Sequence, residues 1–315
     1  MQRNVNRPWP ALPPVSKGPY ARVKQRLSTP RARRLRTVAR RLLLLAVVLT
    51  LALAALLYVT RTYSLASRTY PAAVRRLAVD ADTGQVTAVG SDRRDSFAFW
   101  QRRYSLIKPR VEDVVRGDTL QLRSRCPLVS FRCTVILGAQ VPTGTAAAIR
   151  TDAAAVAVQG LSGPVDITTE SGAATVERAA GPVRVTTRSG KVVVAGVQGD
   201  LAARTVSSPI ELHDVSGGVD LSSGSGLVTG SGRVGRAFAA RTGTGWVTVT
   251  FQAPPERIDV HSASGQIDLE LPHGRYRLGL AAPAGQVHLH GITDDPTATR
   301  TITISTGGGI VLTGT

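Results

Sequence analysis

Residues 163–180 read GPVDITTESGAATVERAA and residues 181–198 read GPVRVTTRSGKVVVAGVQ. Set one above the other, they share Gly-Pro-Val, a Thr-Thr pair and a central Ser-Gly. The spacing is eighteen residues, and Gly163, Gly181, Gly199 and Gly217 all keep it. With rungs counted from 145, 163, 181, 199 and 217, the third position holds Ala147, Val165, Val183, Leu201 and Val219. The fifth holds Ile149, Ile167, Val185, Ala203 and Leu221. The twelfth holds Val156, Ala174, Val192, Ile210 and Val228, and the fourteenth Val158, Val176, Val194, Leu212 and Gly230.

Between these columns stand polar or small residues such as Asp166, Arg184, Thr175 and Glu211. Alternation with period two and β-branched residues marks strands with one buried face. A helix would set positions three and five about 200° apart and could not bury both. Each rung therefore carries two short strands, separated by Ser171-Gly172, Ser189-Gly190 and Ser225-Gly226. One such unit cannot bury its own apolar face, whereas stacked copies make a continuous core. The fold class is all-β: a β-solenoid, or stacked two-sheet repeat, with rungs of eighteen residues. Farther on the period loosens. Val234 arrives one residue late, and later turns fall at Ser264-Gly265, Ala284-Gly285 and Thr306-Gly307. Trp246 and Phe251 are expected to thicken the core there.

Upstream, Leu42–Val59 reads LLLLAVVLTLALAALLYV, bracketed by Arg40, Arg41 and Arg61. Eighteen residues of helix reach about 27 Å, enough for a hydrocarbon core. The basic leader is far longer than that of a cleavable signal peptide, and no small-x-small site follows. The run reads as a signal-anchor, a transmembrane helix over residues 42–60 in contact with the lipid bilayer. The chain carries a net charge of +18, but residues 1–41 hold twelve basic residues and no acid. The positive-inside rule places that leader in the cytoplasm and the C-terminal domain outside, in a single-pass plasma-membrane protein. The remainder has 27 basic against 21 acidic residues and few aromatics, a poor surface for nucleic acid.

The expected organisation is a disordered basic leader over 1–41, the membrane helix over 42–60 and a juxtamembrane linker over 61–75. A cap region follows over 76–144, and the repeat stack fills 145–315. The cap includes a charged, irregular insertion from Asp92 to Arg110 with Phe97, Phe99, Trp100 and Tyr104. An end rung needs such cover against edge-to-edge association.

Cys126 and Cys133 are the only cysteines. Outside the membrane they are expected to form a disulfide, worth on the order of 2–3 kcal/mol for so short a loop. His288 and His290 flank Leu289 on a strand and share a face, but two ligands with no third make no metal site. Asp166, Glu170, Asp200, Asp214 and Asp220 are scattered over the rungs, although Asp166 and Asp220 share a column. A calcium β-roll has the glycine spacing seen at Gly163, Gly172, Gly181, Gly190 and Gly199, but also an aspartate ladder missing here. No nucleophile, base and stabiliser fall in register, so no catalytic, cofactor-binding or metal-binding residue is assigned and no cofactor is expected.

The run IRTDAAAVAVQGLSGPVDITTESG, the following GPVRVTTRSGKVVVAGV and the upstream C-x6-C resemble the adhesin-like β-strand-repeat domains of bacterial envelope proteins. That family is often catalogued as a domain of unknown function, here in a membrane-anchored actinobacterial form. The resemblance covers residues 75–315, implies the architecture and brings no catalytic residues. The expected function is non-catalytic: an extracellular repeat domain presented for binding or adhesion to an envelope glycan or surface protein. Two alternatives stand beside it, a purely structural envelope spacer and a carbohydrate-active β-helix enzyme.

Overall fold

The computed structural model describes residues 30–59, 62–71, 74–105, 107–127 and 133–315. It divides after Val59 into a helical unit and a β unit. The helix α1 spans Pro30–Val59. It starts inside the stretch expected to be disordered. Proline suits a first helical turn because its missing N–H has no helical partner there, and the Ala, Arg and Leu that follow favour helix. The window Val38–Ala55 is long and apolar enough to cross a membrane, and its side chains are exposed.

The β unit is two large sheets built mostly of parallel strands. Three strands stand outside the repeat: β1 (Thr62–Tyr70), β4 (Ser96–Tyr104) and β5 (Arg110–Arg116). The rest pair off as rungs, one strand in each sheet. The first two are β2 (Arg76–Ala81) with β3 (Gly84–Ser91), and β6 (Thr119–Arg125) with β7 (Thr134–Pro142). The regular stack runs from β8 (Ala146–Thr151) and β9 (Ala155–Gln159) through β10 (Val165–Thr169), β11 (Ala174–Glu177), β12 (Val183–Thr187) and β13 (Val192–Val197). It continues with β14 (Leu201–Thr205), β15 (Ile210–Val215), β16 (Val219–Ser223), β17 (Val228–Val234), β18 (Ala237–Thr242) and β19 (Val247–Thr250). Last come β20 (Arg257–Ser262), β21 (Ile267–Leu271), β22 (Arg277–Ala281), β23 (Val287–His290), β24 (Thr301–Thr306) and β25 (Ile310–Gly314).

The columns read from the sequence are the registers of the sheets. Val165 pairs with Ala147 and Val183, and Val176 with Val158 and Val194. Val185 is fully buried while its neighbour Arg184 faces solvent. The late Val234 is a bulge: His213 pairs with Ser231 but Val215 with Val234.

Two further columns hold the corners. Thr169, Thr187, Ser223 and Ser262 are buried, and each hydroxyl accepts from the N–H three residues on, at 2.8 to 3.0 Å. Each corner glycine packs against the rung before; a Cβ on Gly190 would lie 1.8 Å from the carbonyl oxygen of Gly172. At the far corner Gly160, Arg178, Gly196, Asp214 and Gly232 all have positive φ, again eighteen apart. Glycine adopts that conformation freely, and Arg178 and Asp214 adopt it at a cost.

The rungs do not follow the chain at either end. The first sheet runs β1-β4-β7-β3-β9, so the rung of β6 and β7 lies outside that of β2 and β3. At the other end β24 and β25 insert between β20/β21 and β22/β23. The expected boundaries shift accordingly. Residues 61–75, expected as a linker, contain β1, paired antiparallel with β4 along its whole length. Within the expected cap, residues 76–91 form an ordinary rung, since Leu77, Val79, Val86 and Ala88 supply the same inward positions as later rungs. The Asp92–Arg110 insertion is largely regular, because β4 alternates Ser96, Ala98 and Trp100 inward.

Cys126 and Cys133 are joined by a disulfide, Cα atoms 5.9 Å apart, bridging the end of β6 to the start of β7. Beside it Asp82 accepts from the Cys126 N–H at 2.9 Å, and Arg125 bridges Asp80 and Asp82. These contacts tie the displaced rung to the one that precedes it in sequence.

Candidate functional site

A groove of about 670 Å³ lies on the outer face of the second sheet. It crosses six successive rungs at their leading edge, from Pro164–Asp166 to Arg257–Asp259. Outward residues in one column are Asp166, Arg184, Ala202, Asp220, Ala239 and Asp259, paired by the parallel registers. Ala202 and Ala239 are short, and so are Gly218 and Ala237 in the column before them. The trough is the space that longer side chains at these positions would fill.

Acids and arginines rim it. Asp200 Oδ1 accepts from the Gly218 N–H at 2.8 Å. Asp220 accepts from Arg241 at 3.4 Å, and Asp259 lies 3.9 Å from Arg257. The fold thus brings Asp166, Asp200 and Asp220 to one face and adds Asp259, which the loosened period had hidden. Glu170 sits at a corner instead, and Asp214 on the other sheet, where its carboxylate accepts from the Arg233 N–H of the bulge at 3.1 Å.

The carboxylate spacing bears on acid–base chemistry. Strand spacing and rise put Asp200 and Asp220 roughly 8 Å apart at Cα, within the range of a glycosidase pair. Both are exposed, however, and both already accept a hydrogen bond.

Other singled-out residues lie elsewhere. His288 and His290 stack on β23 with ring centroids 6.4 Å apart, and no group of three metal-ligating side chains occurs among the described residues. Phe251 is buried against Phe238, edge to face at 5.6 Å. Trp246, expected in the core, is 58% exposed: it occupies the corner position just before β19, in line with exposed Leu227. Trp100 is buried in the cap, whereas Phe97 and Phe99 are half-buried on the other face of β4, opposite Thr69 and Ser67, and farther along that strand Arg103 lies over Tyr63 at 5.5 Å. The groove had a faint sequence signal in Ala202 and Ala239, small residues in an otherwise charged outward column.

No family model and no curated protein sequence matches the chain. Among solved structures it is similar to a provisionally named adhesin from Bacteroides fragilis, at 13% identity, covering 80% of this chain and 97% of that one, with a TM-score of 0.37. It is also similar to a provisionally named lipid binding protein from Parabacteroides distasonis, at 12% identity over 79% and 96% of the two chains, TM-score 0.43. A provisionally named cell adhesion protein from Clostridium sporogenes matches at 12% identity over 81% and 100%, TM-score 0.26. At these values the likenesses carry no functional argument, and the site rests on its own geometry.

Proposed function

We propose that this chain is a single-pass, membrane-anchored envelope protein that displays its β-solenoid outside the bilayer and binds a partner without altering it covalently. The groove across six rungs carries this reading. A trough with a small-residue floor and alternating charge at its rim suits an extended ligand lying along the stack, such as an envelope glycan or a segment of a surface protein. Of the rim acids, Asp200 accepts from the Gly218 N–H and Asp220 and Asp259 lie beside Arg241 and Arg257, which supports recognition over catalysis. The exposed apolar window Val38–Ala55 and the twelve basic residues of 1–41 support an N-terminus inside and the β unit outside.

Two measurements test this. Protease added to intact cells should remove the β unit and spare the leader; a protected C-terminus would reverse the orientation. The full chain should capture a ligand from envelope extract or a glycan screen, and Ala202→Trp, which fills the trough, should abolish capture. Equal capture by the variant would remove the groove from the proposal. Failure to capture anything at micromolar protein would leave the structural spacer as the better reading.

A further inference from the structure

The positive charge of the β unit is confined to its first rungs. Residues 61–145 hold 14 basic and 7 acidic residues, whereas residues 146–315 hold 13 and 14. Part of that excess meets at one corner. The registers set Thr62 against Tyr104, Arg103 against Thr134 and Arg110 against Arg125. The start of β1, the end of β4 and the start of β5 therefore converge beside the Cys126–Cys133 disulfide. A hollow of about 470 Å³ opens there, lined by Lys108, Arg110, Arg123 and Arg125, with Glu112 as the acid in its wall. Arg123 and Arg125 also reach Asp80 and Asp82. Lys108 and Arg110, in contrast, have no ion-pair partner among the described residues. Apolar side chains flank the cations: Ile107 of the hollow is 44% exposed, and across the corner Tyr63 and Leu65 are 61% and 75% exposed.

We infer that this corner is a lipid-facing surface whose occupant is the anionic headgroup layer of the bilayer that the chain itself crosses. The inference rests on the membrane-anchored reading. Only residues 60 and 61 separate Val59 from Thr62, and three Cα steps reach at most about 11 Å. A helix that spans the bilayer thus delivers the start of β1, and with it this corner, to the headgroup layer. Lipid phosphates complement Lys108 and Arg110, which no carboxylate of the described residues neutralises. Tyr63, Leu65 and Ile107 suit the same layer, where apolar side chains lie toward the acyl chains and neighbouring cations stay among the headgroups. A soluble anion would use the cations and leave these three side chains in water. The groove plays no part in this contact.

The test uses the full chain in lipid nanodiscs whose headgroups carry a nitroxide quencher. A fluorophore is placed on Ile107→Cys, or on Leu289→Cys at the far end as a reference. In discs containing phosphatidylglycerol the label at 107 should be quenched and the label at 289 should not. K108E/R110E, or discs of phosphatidylcholine alone, should lower the ratio of docked to undocked chains roughly tenfold or more. K108Q/R110Q serves if the reversed variant melts early. R188E/R204E, the same change of charge on distant rungs, should leave the quenching intact. The proposal is overturned if both labels are quenched alike, if neutral discs quench position 107 as well as anionic ones, or if R188E/R204E acts like K108E/R110E. Relief of quenching by inorganic phosphate at constant ionic strength would identify a free anion as the ligand and also overturn it. A chain that fails to enter discs would overturn the membrane-anchored reading and this inference together, whereas entry without quenching at 107 strikes this inference alone.

Discussion

At the N-terminal end the outermost core residues of the repeat are Leu120, Leu122, Val135 and Leu137, none more than 2% exposed. At the C-terminal end their counterparts are Leu278, Leu280, Val287 and Leu289, the last two 42% exposed. The columns and side chains are alike; only the cover differs. β4 runs antiparallel to β7 and lays buried Trp100 and Ala98 at that end, while β5 runs antiparallel to β6. Asp113 of β5 then accepts from Arg68 at 2.7 Å and from the Tyr70 hydroxyl at 2.6 Å, joining β1 of one sheet to β5 of the other. Among the described residues the C-terminal end has no antiparallel strand. Its connection over residues 291–300 is pinned from the side, with Asp294 accepting from the Leu278 N–H at 2.8 Å and Asp295 paired with Arg275. Sealing a solenoid thus takes sequence that leaves the period, because every in-period rung ends in the same open columns.

The sharpest break of this comparison is the same substitution at both ends. Leu137→Asp buries an unpaired carboxylate under the cap and should cost on the order of 4 kcal/mol or more. Leu289→Asp leaves its carboxylate in water and should cost about 1 kcal/mol or less. Urea midpoints decide it, and equal shifts would mean that the C-terminal end is covered after all. Trp100→Ala should come next, at about 3 kcal/mol, by leaving a cavity beneath β1 and β4. Hydrogen exchange should then accelerate in β1, β4 and β7 and stay unchanged in β22 to β25.

Replacing both cysteines by serine should cost about 2 kcal/mol through the lost loop constraint, confined to β6 and β7 in the same exchange map. The smallest effect is alkaline. Burial first, and then the hydrogen bond to Asp113, raise the Tyr70 hydroxyl above its ordinary value. A raised phenol stabilises the fold while protonated, fully so below the unfolded value of about 10, and that contribution fades at higher pH. The cap should therefore loosen above about pH 10, and Tyr70→Phe should flatten the dependence. Identical alkaline profiles for the two proteins would remove Tyr70 from the closure.

Much of this was legible without coordinates. The columns at Val165, Ile167, Ala174 and Val176 set the strands, their inward faces and the parallel register, because period two and period eighteen together admit one stacking. Thr169 and Thr187 were visible in the same alignment as part of a shared Thr-Thr pair, without a role. Their role is local: each accepts from a corner N–H that the sheet leaves without a partner. The acids of the groove were visible singly, and Asp259 joined them only through the pairing of β18 with β16 and β20, which absorbs the loosened period.

The sequence by itself determined the helix-forming apolar run, the two strands per rung and which side chains turn inward. It also placed the two cysteines close enough to bridge. The tertiary structure alone decided which rung lies beside which. Leu77, Leu120 and Ala147 are interchangeable in one column, as are Leu278 and Ile302, so burial cannot rank the neighbours. The order at the ends is set by contacts that no period records. Arg125 on Asp80 and Asp82 fixes one end, and Asp294 beneath Leu278 fixes the other. Those contacts join residues 16 and more than 40 positions apart, and only the folded chain brings them together.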